Sequence, residues 1–277
     1  DGPSDISTTA ECYLSLKLAG YDISSEPLLK AKKFILDQGG LEKVRVFSRI
    51  HFALFGLMPW SSCPAMPPWV ASLPAWGPVS IYEFSSWARA CITPLLIILD
   101  LKPTRPKPGF DLDELYTSPP EKRKFAFPKP PDLLGKAFIL NNYVLKGLEK
   151  LPYHPFKEKS LQACENWIRL HLKQTEDIYP FMAYSLMALL ARDCSWEDEA
   201  VQKAWRGLLR FQQEMPENDL AAVPDPTHRH LFNDITLKEP LCHCEDPRAI
   251  HQQCCISPVW DTPWMGLALI DSGLEPS

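Results

Sequence analysis

The stretch EKSLQACENWIRLHLKQ, residues 158–174, can be laid without gaps over WEDEAVQKAWRGLLRFQ, residues 196–212. Trp167 and Trp205 coincide in this alignment, and each is followed seven residues later by a glutamine. The spacing of the apolar residues predicts a helix in both stretches. Their offset of 38 residues falls within the period of about 20 to 50 residues that is typical of stacked helix-pair arrays.

A second type of helix, apolar and rich in small residues, neighbours this repeat at residues 10–20, 181–192 and 260–273. Two alternating helix types predict an all-α protein in which helix pairs stack side by side. If the array closes, it forms an α/α toroid, an incomplete α6-α6-like barrel with inner and outer rings of helices. Periodicity alone does not decide whether it closes.

Local signals mark the first helices. Ser7 is expected to cap a helix that runs to Gly20, and Ser25, Glu26 and Pro27 open a second helix that ends at the Gly39–Gly40 pair. Further helices are expected at residues 44–58, 85–101 with a kink at Pro94, 134–151, 160–174, 179–193, 196–213 and 259–271. Proline-rich connectors, residues 59–79 and 102–133, separate them.

Composition and charge bear on the partners and the compartment of the protein. The 277 residues carry a net charge of −5, which gives no basic surface for phosphate, so no nucleic-acid partner is expected. The apolar run 91–101 is too short to span a bilayer, and no secretory leader is recognised. Because the sequence begins without an initiator methionine, we expect a chain cut at its start. Nine cysteines at scattered positions favour a reducing, intracellular compartment over a disulfide framework.

Two clusters of polar residues have a chemical and a structural interpretation. Cys242, Cys244, His251 and Cys254 are residue types that bind zinc, but their spacing matches no standard finger, which favours a solvated loop, and we expect no metal or cofactor. Clustered carboxylates such as those of residues 111–114 can supply an acid. Their place in a proline-rich connector instead favours a helix N-terminal cap before Leu115 and Tyr116.

The nine tryptophans also have two interpretations. Any one of them is best explained as filling a large core. As a set, aromatic faces that line an apolar cavity can stabilise a carbocation without supplying a nucleophile that would quench it.

Several motifs, taken together, are more specific. They read IYEFSSWARA at residues 81–90, VFSR at 46–49, MPP at 66–68 and CISPVWDT at 255–262, and residues 2–11 and 31–46 follow the same pattern in the same order. In these features the chain resembles the squalene-hopene cyclases, which are class II terpene cyclases and isomerases of triterpenoid biosynthesis. The likeness covers nearly the whole chain apart from about residues 213–250.

The resemblance implies two α/α-barrel domains, one inserted into the other, with the substrate cavity between them. Residues 1–254 would then form the inserted domain, truncated at its N-terminus, and residues 255–277 the first helix of the catalytic domain. The substrate would be squalene or a similar linear polyene, cyclised without a cofactor. An apolar plateau would attach the enzyme monotopically to a membrane inside the cell, and the resemblance also allows for a homodimer.

The resemblance carries over to individual positions. It implies a substrate cavity lined by Trp87, Ile178, Tyr179, Pro180 and Trp260, with Asp261 near the acid site. Glu11 and Arg45 would lie near the far end of the cavity, and Phe84 and Ile92 in the channel through which the substrate enters.

The sequence also departs from the family. Its members protonate the terminal alkene with the middle aspartate of an Asp-x-Asp-Asp motif, which this sequence lacks, so the chain by itself is expected to be inactive. Thr175, Glu176 and Asp177 replace a Gly- and Trp-containing repeat motif, and residues 213–250 have the character of an insertion or a gene-model error. The alternative function is a non-catalytic helical-repeat module that binds an isoprenoid or a protein.

Overall fold

The computed structural model describes residues 4–74, 76, 80–127, 132–151, 156–172, 178–210, 212–214 and 250–252. Over these residues it contains eight α-helices and two three-residue strands. The helices are α1 (Ile6–Leu18), α2 (Glu26–Asp37), α3 (Val46–Leu54), α4 (Ser86–Leu101), α5 (Leu133–Leu148), α6 (Lys157–His171), α7 (Tyr179–Ala191) and α8 (Glu199–Arg210). The strands are β1 (Gln212–Glu214) and β2 (Ile250–Gln252).

The chain divides into two compact units. The first consists of Asp1–Pro67 and Leu99–His154, and the second of Pro68–Ile98 and Pro155–Ser277. The domain boundary expected at residue 254, and the helix expected at residues 259–271, fall outside the described residues. They remain predictions.

The core of the first unit lies between α1, α2, α3 and the connector that follows α4. It is built from twelve buried side chains: Ala10, Tyr13, Leu14, Leu28, Ile35, Leu41, Val44, Phe52, Met58, Leu112, Leu115 and Tyr116. The connector after α4 is therefore ordered at Leu112, Leu115 and Tyr116, because these side chains pack in the core instead of running free in solvent.

A buried arginine forms hydrogen bonds with both proline-rich connectors. Arg49 on α3 is 2% exposed and donates hydrogen bonds to the backbone oxygens of Glu42, Val44, Ser62 and Ala126 at 2.9 to 3.2 Å. Four backbone carbonyls from three segments thus solvate one guanidinium in the interior.

The helix boundaries confirm some predictions and correct others. Helix α2 begins after Ser25 with Pro27 in its first turn, and the chain leaves it through Gly39 and Gly40 at positive φ, as predicted. The predicted cap of α1, Ser7, is wrong by two residues, because the N-cap in the structure is Asp5. Asp5 accepts the backbone N–H groups of Ser7 and Thr8 at 3.1 and 3.0 Å, whereas the Ser7 hydroxyl accepts the N–H of Arg45 at 2.9 Å.

The predicted helices at residues 44–58 and 196–213 are also too long. Helix α3 ends at Leu54, and Gly56 follows at positive φ. Helix α8 begins at Glu199 and ends at Arg210. Beyond it, Gln212–Glu214 pairs antiparallel with Ile250–Gln252, so backbone hydrogen bonds to a distant segment replace the last predicted turn.

The second unit contains the sequence repeat. Both repeat stretches are helical in α6 and α8, and α7 packs against each of them. Ion pairs tie the ends of the helices together, since Arg169 on α6 pairs with Asp198 before α8, and Arg192 after α7 pairs with Glu158 and Glu165 on α6. The helix-pair repeat predicted from the sequence is therefore present in this unit.

Candidate functional site

The expected cavity residues of the second unit lie at the start of α4. A short turn, Ile81–Glu83, precedes this helix and is capped by the Ser80 hydroxyl, which accepts the N–H of Tyr82 at 3.2 Å. Tyr82, Phe84 and Trp87 are all exposed, Trp87 by 62%. The sequence therefore places three aromatic side chains within six residues at the surface of this unit.

The arginine of the same motif supports this aromatic group. Arg89 donates to the backbone oxygen of Tyr82 at 3.4 Å, and its guanidinium lies 5.3 Å from the centre of the Tyr82 ring. Cation–π attraction of this kind favours one ring orientation. Ile92, expected in the channel, is partly buried on α4 two residues before Pro94.

The second expected group of this unit lies at the start of α7. Ile178 is the N-cap residue of α7, and Tyr179 and Pro180 are its first two residues. All three are partly buried. Proline fits a first helical turn because the backbone N–H groups of that turn have no acceptor within the helix, so the N–H that proline lacks is not missed. Trp260 and Asp261 lie outside the described residues, so their roles remain predictions.

In the first unit, Glu11 and Arg45 lie along one seam between α1 and α3, but each has a different partner. The Arg45 guanidinium pairs with the Asp5 carboxylate at 2.6 Å. Glu11 Oε1 lies 3.3 Å from His51 Nδ1 on α3. The seam therefore holds two separate pairs, each with its carboxylate on the α1 side and its basic side chain on the α3 side.

Hydrogen bonds keep the Glu11 carboxylate ionised. The bond from the His51 ring lowers the pKa of Glu11 below its ordinary value; partial burial opposes this, and a further bond from the Ser48 side chain supports it. Because an ionised carboxylate only accepts hydrogen bonds, the proton shared by this pair belongs to His51 Nδ1. Sequence reasoning missed His51, although its spacing from Phe47 and Phe55, four residues on each side, marks it as part of one helical face.

The acidic segment 111–114 does not cap an α-helix, which corrects the expectation. Asp111 Oδ1 accepts the N–H of Asp113 at 3.2 Å, and only a short turn, Asp113–Leu115, follows. Glu114 is used elsewhere, since it accepts hydrogen bonds from Tyr13 and Lys17 at 2.9 and 2.7 Å. Although partial burial acts against them, these bonds hold the pKa of Glu114 below its usual value, which is the opposite of what a proton-donating acid needs.

Helix α5 has an unusual surface because its buried side is polar and its exposed side is apolar. Asn142 accepts the N–H of Ala65 at 2.9 Å, and Lys146 donates to the backbone oxygen of Ser61 at 2.6 Å. An exposed stripe, which we call the α5 face, consists of Leu133, Leu140, Val144, Leu148 and Leu151.

Of the helices in the described ranges, none is both long enough and apolar enough to cross a membrane. The same residues contain no group of three or more histidine, cysteine or acidic side chains arranged to bind a metal ion. The Cys242, Cys244, His251 and Cys254 cluster is not tested, because its side chains lie outside what the structure describes.

Comparison with known proteins decides the family. The family model of the squalene-hopene cyclase N-terminal domain matches residues 1–217. The chain belongs to the squalene-hopene cyclase family. This confirms the all-α prediction and assigns the chain to the α/α-toroid fold of terpenoid cyclases.

Individual relatives agree with the family. The chain is 35% identical to a squalene hopane cyclase of Aspergillus fumigatus over 280 residues, which cover 98% of the chain and 34% of the relative. It is 34% identical to the squalene–hopene cyclase of Alicyclobacillus acidocaldarius, with 99% and 38% covered. It is 32% identical to a dammaradiene synthase of Dryopteris crassirhizoma, with 98% and 36% covered. The chain thus spans little more than a third of the length of these relatives.

Proposed function

We propose that the chain is a segment of an enzyme that converts squalene, or a related linear isoprenoid, into a cyclic triterpene by proton-initiated polycyclisation. Family membership supports the class of reaction. The observation that carries the assignment to this chain is the exposed aromatic group at the start of α4, formed by Tyr82, Phe84 and Trp87.

The aromatic group suits this chemistry because the cascade forms cationic carbons in an apolar space. The faces of aromatic rings carry negative quadrupole density and attract such cations without bonding to them. Trp87 is placed by the first turn of a helix and is therefore held on a rigid element, as a site that selects between competing cations requires. Exclusion of water and bases from the ring-forming part of the cavity prevents early quenching.

The catalytic acid must come from outside this segment. The sequence contains no Asp-x-Asp-Asp motif, and Glu114, the partly buried glutamate of the acidic segment 111–114, has a lowered pKa. The described part of the chain therefore supplies one wall of the cavity, and another part of the enzyme supplies the proton.

We also assign membrane contact to the α5 face. Exposed leucine and valine side chains along one side of a helix favour transfer into an apolar phase, while polar anchors hold the other side to the protein. Such a helix lies in the membrane interface, which corresponds to monotopic attachment inside the cell. A polyene substrate that is dissolved in the membrane would then reach the enzyme without crossing water.

A non-catalytic module that binds an isoprenoid is the second candidate, and the missing acid motif favours it. The mass of the native polypeptide separates the two, measured in source cells with an antibody against this segment. The cyclase proposal predicts a mass between two and three times 31.5 kDa, in line with the share of the relatives that is covered. A band at 31.5 kDa would contradict it and favour the binding module.

A further inference from the structure

The segment of residues 82–89, at the start of α4, is closed by contacts between its first and last residues. The guanidinium of Arg89 lies 5.3 Å from the centre of the Tyr82 ring, and Nη1 of Arg89 donates to the backbone oxygen of Tyr82 at 3.4 Å. We call these two contacts the aromatic clamp. Because one side chain contacts both the ring and the backbone of Tyr82, the clamp restrains the position of this residue as well as the orientation of its ring.

Both ends of the segment are attached to the interior of the second unit. Ile81, directly before Tyr82, is 1% exposed, and the Ser80 hydroxyl accepts the N–H of Tyr82 at 3.2 Å. At the other end, the Thr93 hydroxyl donates to the backbone oxygen of Arg89 at 3.0 Å, and Thr93 is fully buried on α4. The aromatic clamp therefore joins two anchored elements, the short turn before α4 and α4 itself.

Two exposed aromatic side chains lie between the ends of the segment. Phe84 is 48% and Trp87 62% exposed. Phe84 follows the short turn, and its N–H bonds to the backbone oxygen of Ile81 at 3.3 Å, whereas Trp87 lies in the first turn of α4. The angle between the turn and the helix thus sets the distance between the two rings, and the aromatic clamp spans this junction.

We propose that Arg89 is a positioning residue for the cyclisation. Through the aromatic clamp it fixes the distance and angle between the rings of Phe84 and Trp87, and thereby influences which cyclic products form. This inference rests on the proposed function, in which the aromatic group at the start of α4 stabilises cationic carbons. Because a ring attracts a cation that lies over its face, a displaced ring stabilises some carbocations less than others. Arg89 acts on the products through the rings and not by contact with the substrate.

The test uses the full-length cyclase with squalene and measures the ratio of its two main products together with the midpoint of thermal unfolding. Arg89→Leu removes both contacts and should change the product ratio about two- to five-fold, which corresponds to the roughly 0.5 to 1 kcal/mol of an exposed cation–π contact. Arg89→Lys keeps the charge but cannot reproduce both contacts, so it should restore only part of the wild-type ratio. The control is Arg206→Leu at an exposed position of α8, which should leave the ratio unchanged.

A double variant tests whether Arg89 acts through Tyr82. In a Tyr82→Leu enzyme the ring contact is already absent, so the addition of Arg89→Leu should change the product ratio by less than it does in the wild-type enzyme. An equal change in the two backgrounds would overturn the positioning role. An active Arg89→Leu enzyme with the wild-type ratio would also overturn it, even if its unfolding midpoint were lower, because the contact would then only stabilise the fold.

Failure of the proposed function gives a different result. A wild-type enzyme that converts no polyene contradicts that function, and the geometry is then tested by fluorine NMR of protein labelled with 5-fluorotryptophan. The Trp87 signal, identified by its absence in Trp87→Phe, should shift in Arg89→Leu and keep its position in Arg206→Leu. A Trp87 signal that is unshifted in Arg89→Leu would overturn the inference.

Discussion

The guanidinium of Arg169 donates two parallel hydrogen bonds to the carboxylate of Asp198, each 2.8 Å long. This bidentate pair joins α6 to the turn before α8. Because two parallel bonds fix both distance and angle, such a pair contributes more than an ordinary surface ion pair. The relationship links the two copies of the sequence repeat across α7.

Arg169→Met should therefore destabilise the second unit by about 2 kcal/mol, the value typical of hydrogen bonds to charged groups. Urea unfolding followed by tryptophan fluorescence measures this loss, since Trp167 and Trp205 lie on α6 and α8. The matched control is Glu26→Gln, which removes the exposed Glu26–Lys30 pair of α2 and should cost less than about 0.5 kcal/mol. Equal losses in the two variants would contradict the structural role of the bidentate pair.

The same network predicts a loss of stability in acid. The hydrogen bonds from Arg169 hold the pKa of Asp198 below its ordinary value, and those from Arg192 do the same for the pKa of Glu158. A carboxyl group with a lowered folded-state pKa stabilises the protein above its unfolded-state pKa, and this contribution disappears as the pH falls. We expect the unfolding midpoint in urea to drop below about pH 4, and to drop less steeply in Asp198→Asn. An equally steep drop in that variant would show that other groups control the transition.

Arg49→Lys should destabilise the first unit although it preserves the charge. A lysine ammonium cannot reach all four carbonyl oxygens that Arg49 contacts, so buried acceptors lose their donors, at a cost of about 1 to 3 kcal/mol. Hydrogen exchange of the backbone amides around Ser62 and Ala126 should rise. Arg206→Lys on the exposed surface of α8 is the control and should have no measurable effect.

The α5 face predicts binding to lipid. Leu140→Asp and Val144→Asp should weaken cosedimentation of the chain with phosphatidylcholine vesicles, because each places a charge in the apolar contact. Leu29→Asp, at an equally exposed leucine of α2, should leave binding unchanged. If all three variants bind as the unmodified chain does, the membrane contact lies elsewhere.

Trp87→Ala in the full-length enzyme should change the product distribution as well as the rate. Removing the ring takes away a cation-stabilising face, which is worth about 0.5 to 2 kcal/mol, so carbocations that depended on it partition to other products. Trp87→Phe keeps an aromatic face and should restore part of the original distribution. The same change is predicted for Trp260→Ala. Unchanged products and rate in both alanine variants would count against a cavity role.

The sequence predicts those helix ends and helices that depend on residues close to them in the chain. Ser25, Pro27 and the Gly39–Gly40 pair set the ends of α2 through the backbone preferences of these residues, and the repeat sets α6 and α8. The predicted cap of α1 is wrong because Ser7 and Asp5 are both residue types that cap helices well. The choice between them depends on Arg45, 38 residues away, whose backbone N–H donates to the Ser7 hydroxyl. The end of α8 likewise depends on pairing with residues 250–252.

The candidate site is likewise predicted only in part, since motifs indicate its residues and tertiary packing decides their partners. Family motifs point to Trp87, Glu11 and Arg45, and the structure places Trp87 on an exposed first turn and the other two along one seam. The pairing of Glu11 with His51 depends on how α1 packs against α3, and no motif within either helix indicates it. The α5 face was missed for a related reason, since a helix with its leucines exposed resembles any amphipathic helix until its buried side is known.

The most direct test of the account is the conversion of squalene by the native polypeptide, captured from source cells with an antibody against this segment. The account predicts that squalene is consumed and replaced by cyclic products with the mass of squalene, or of squalene plus one water. Squalene that is bound but recovered unchanged would contradict the cyclase proposal and identify the protein as a binding module.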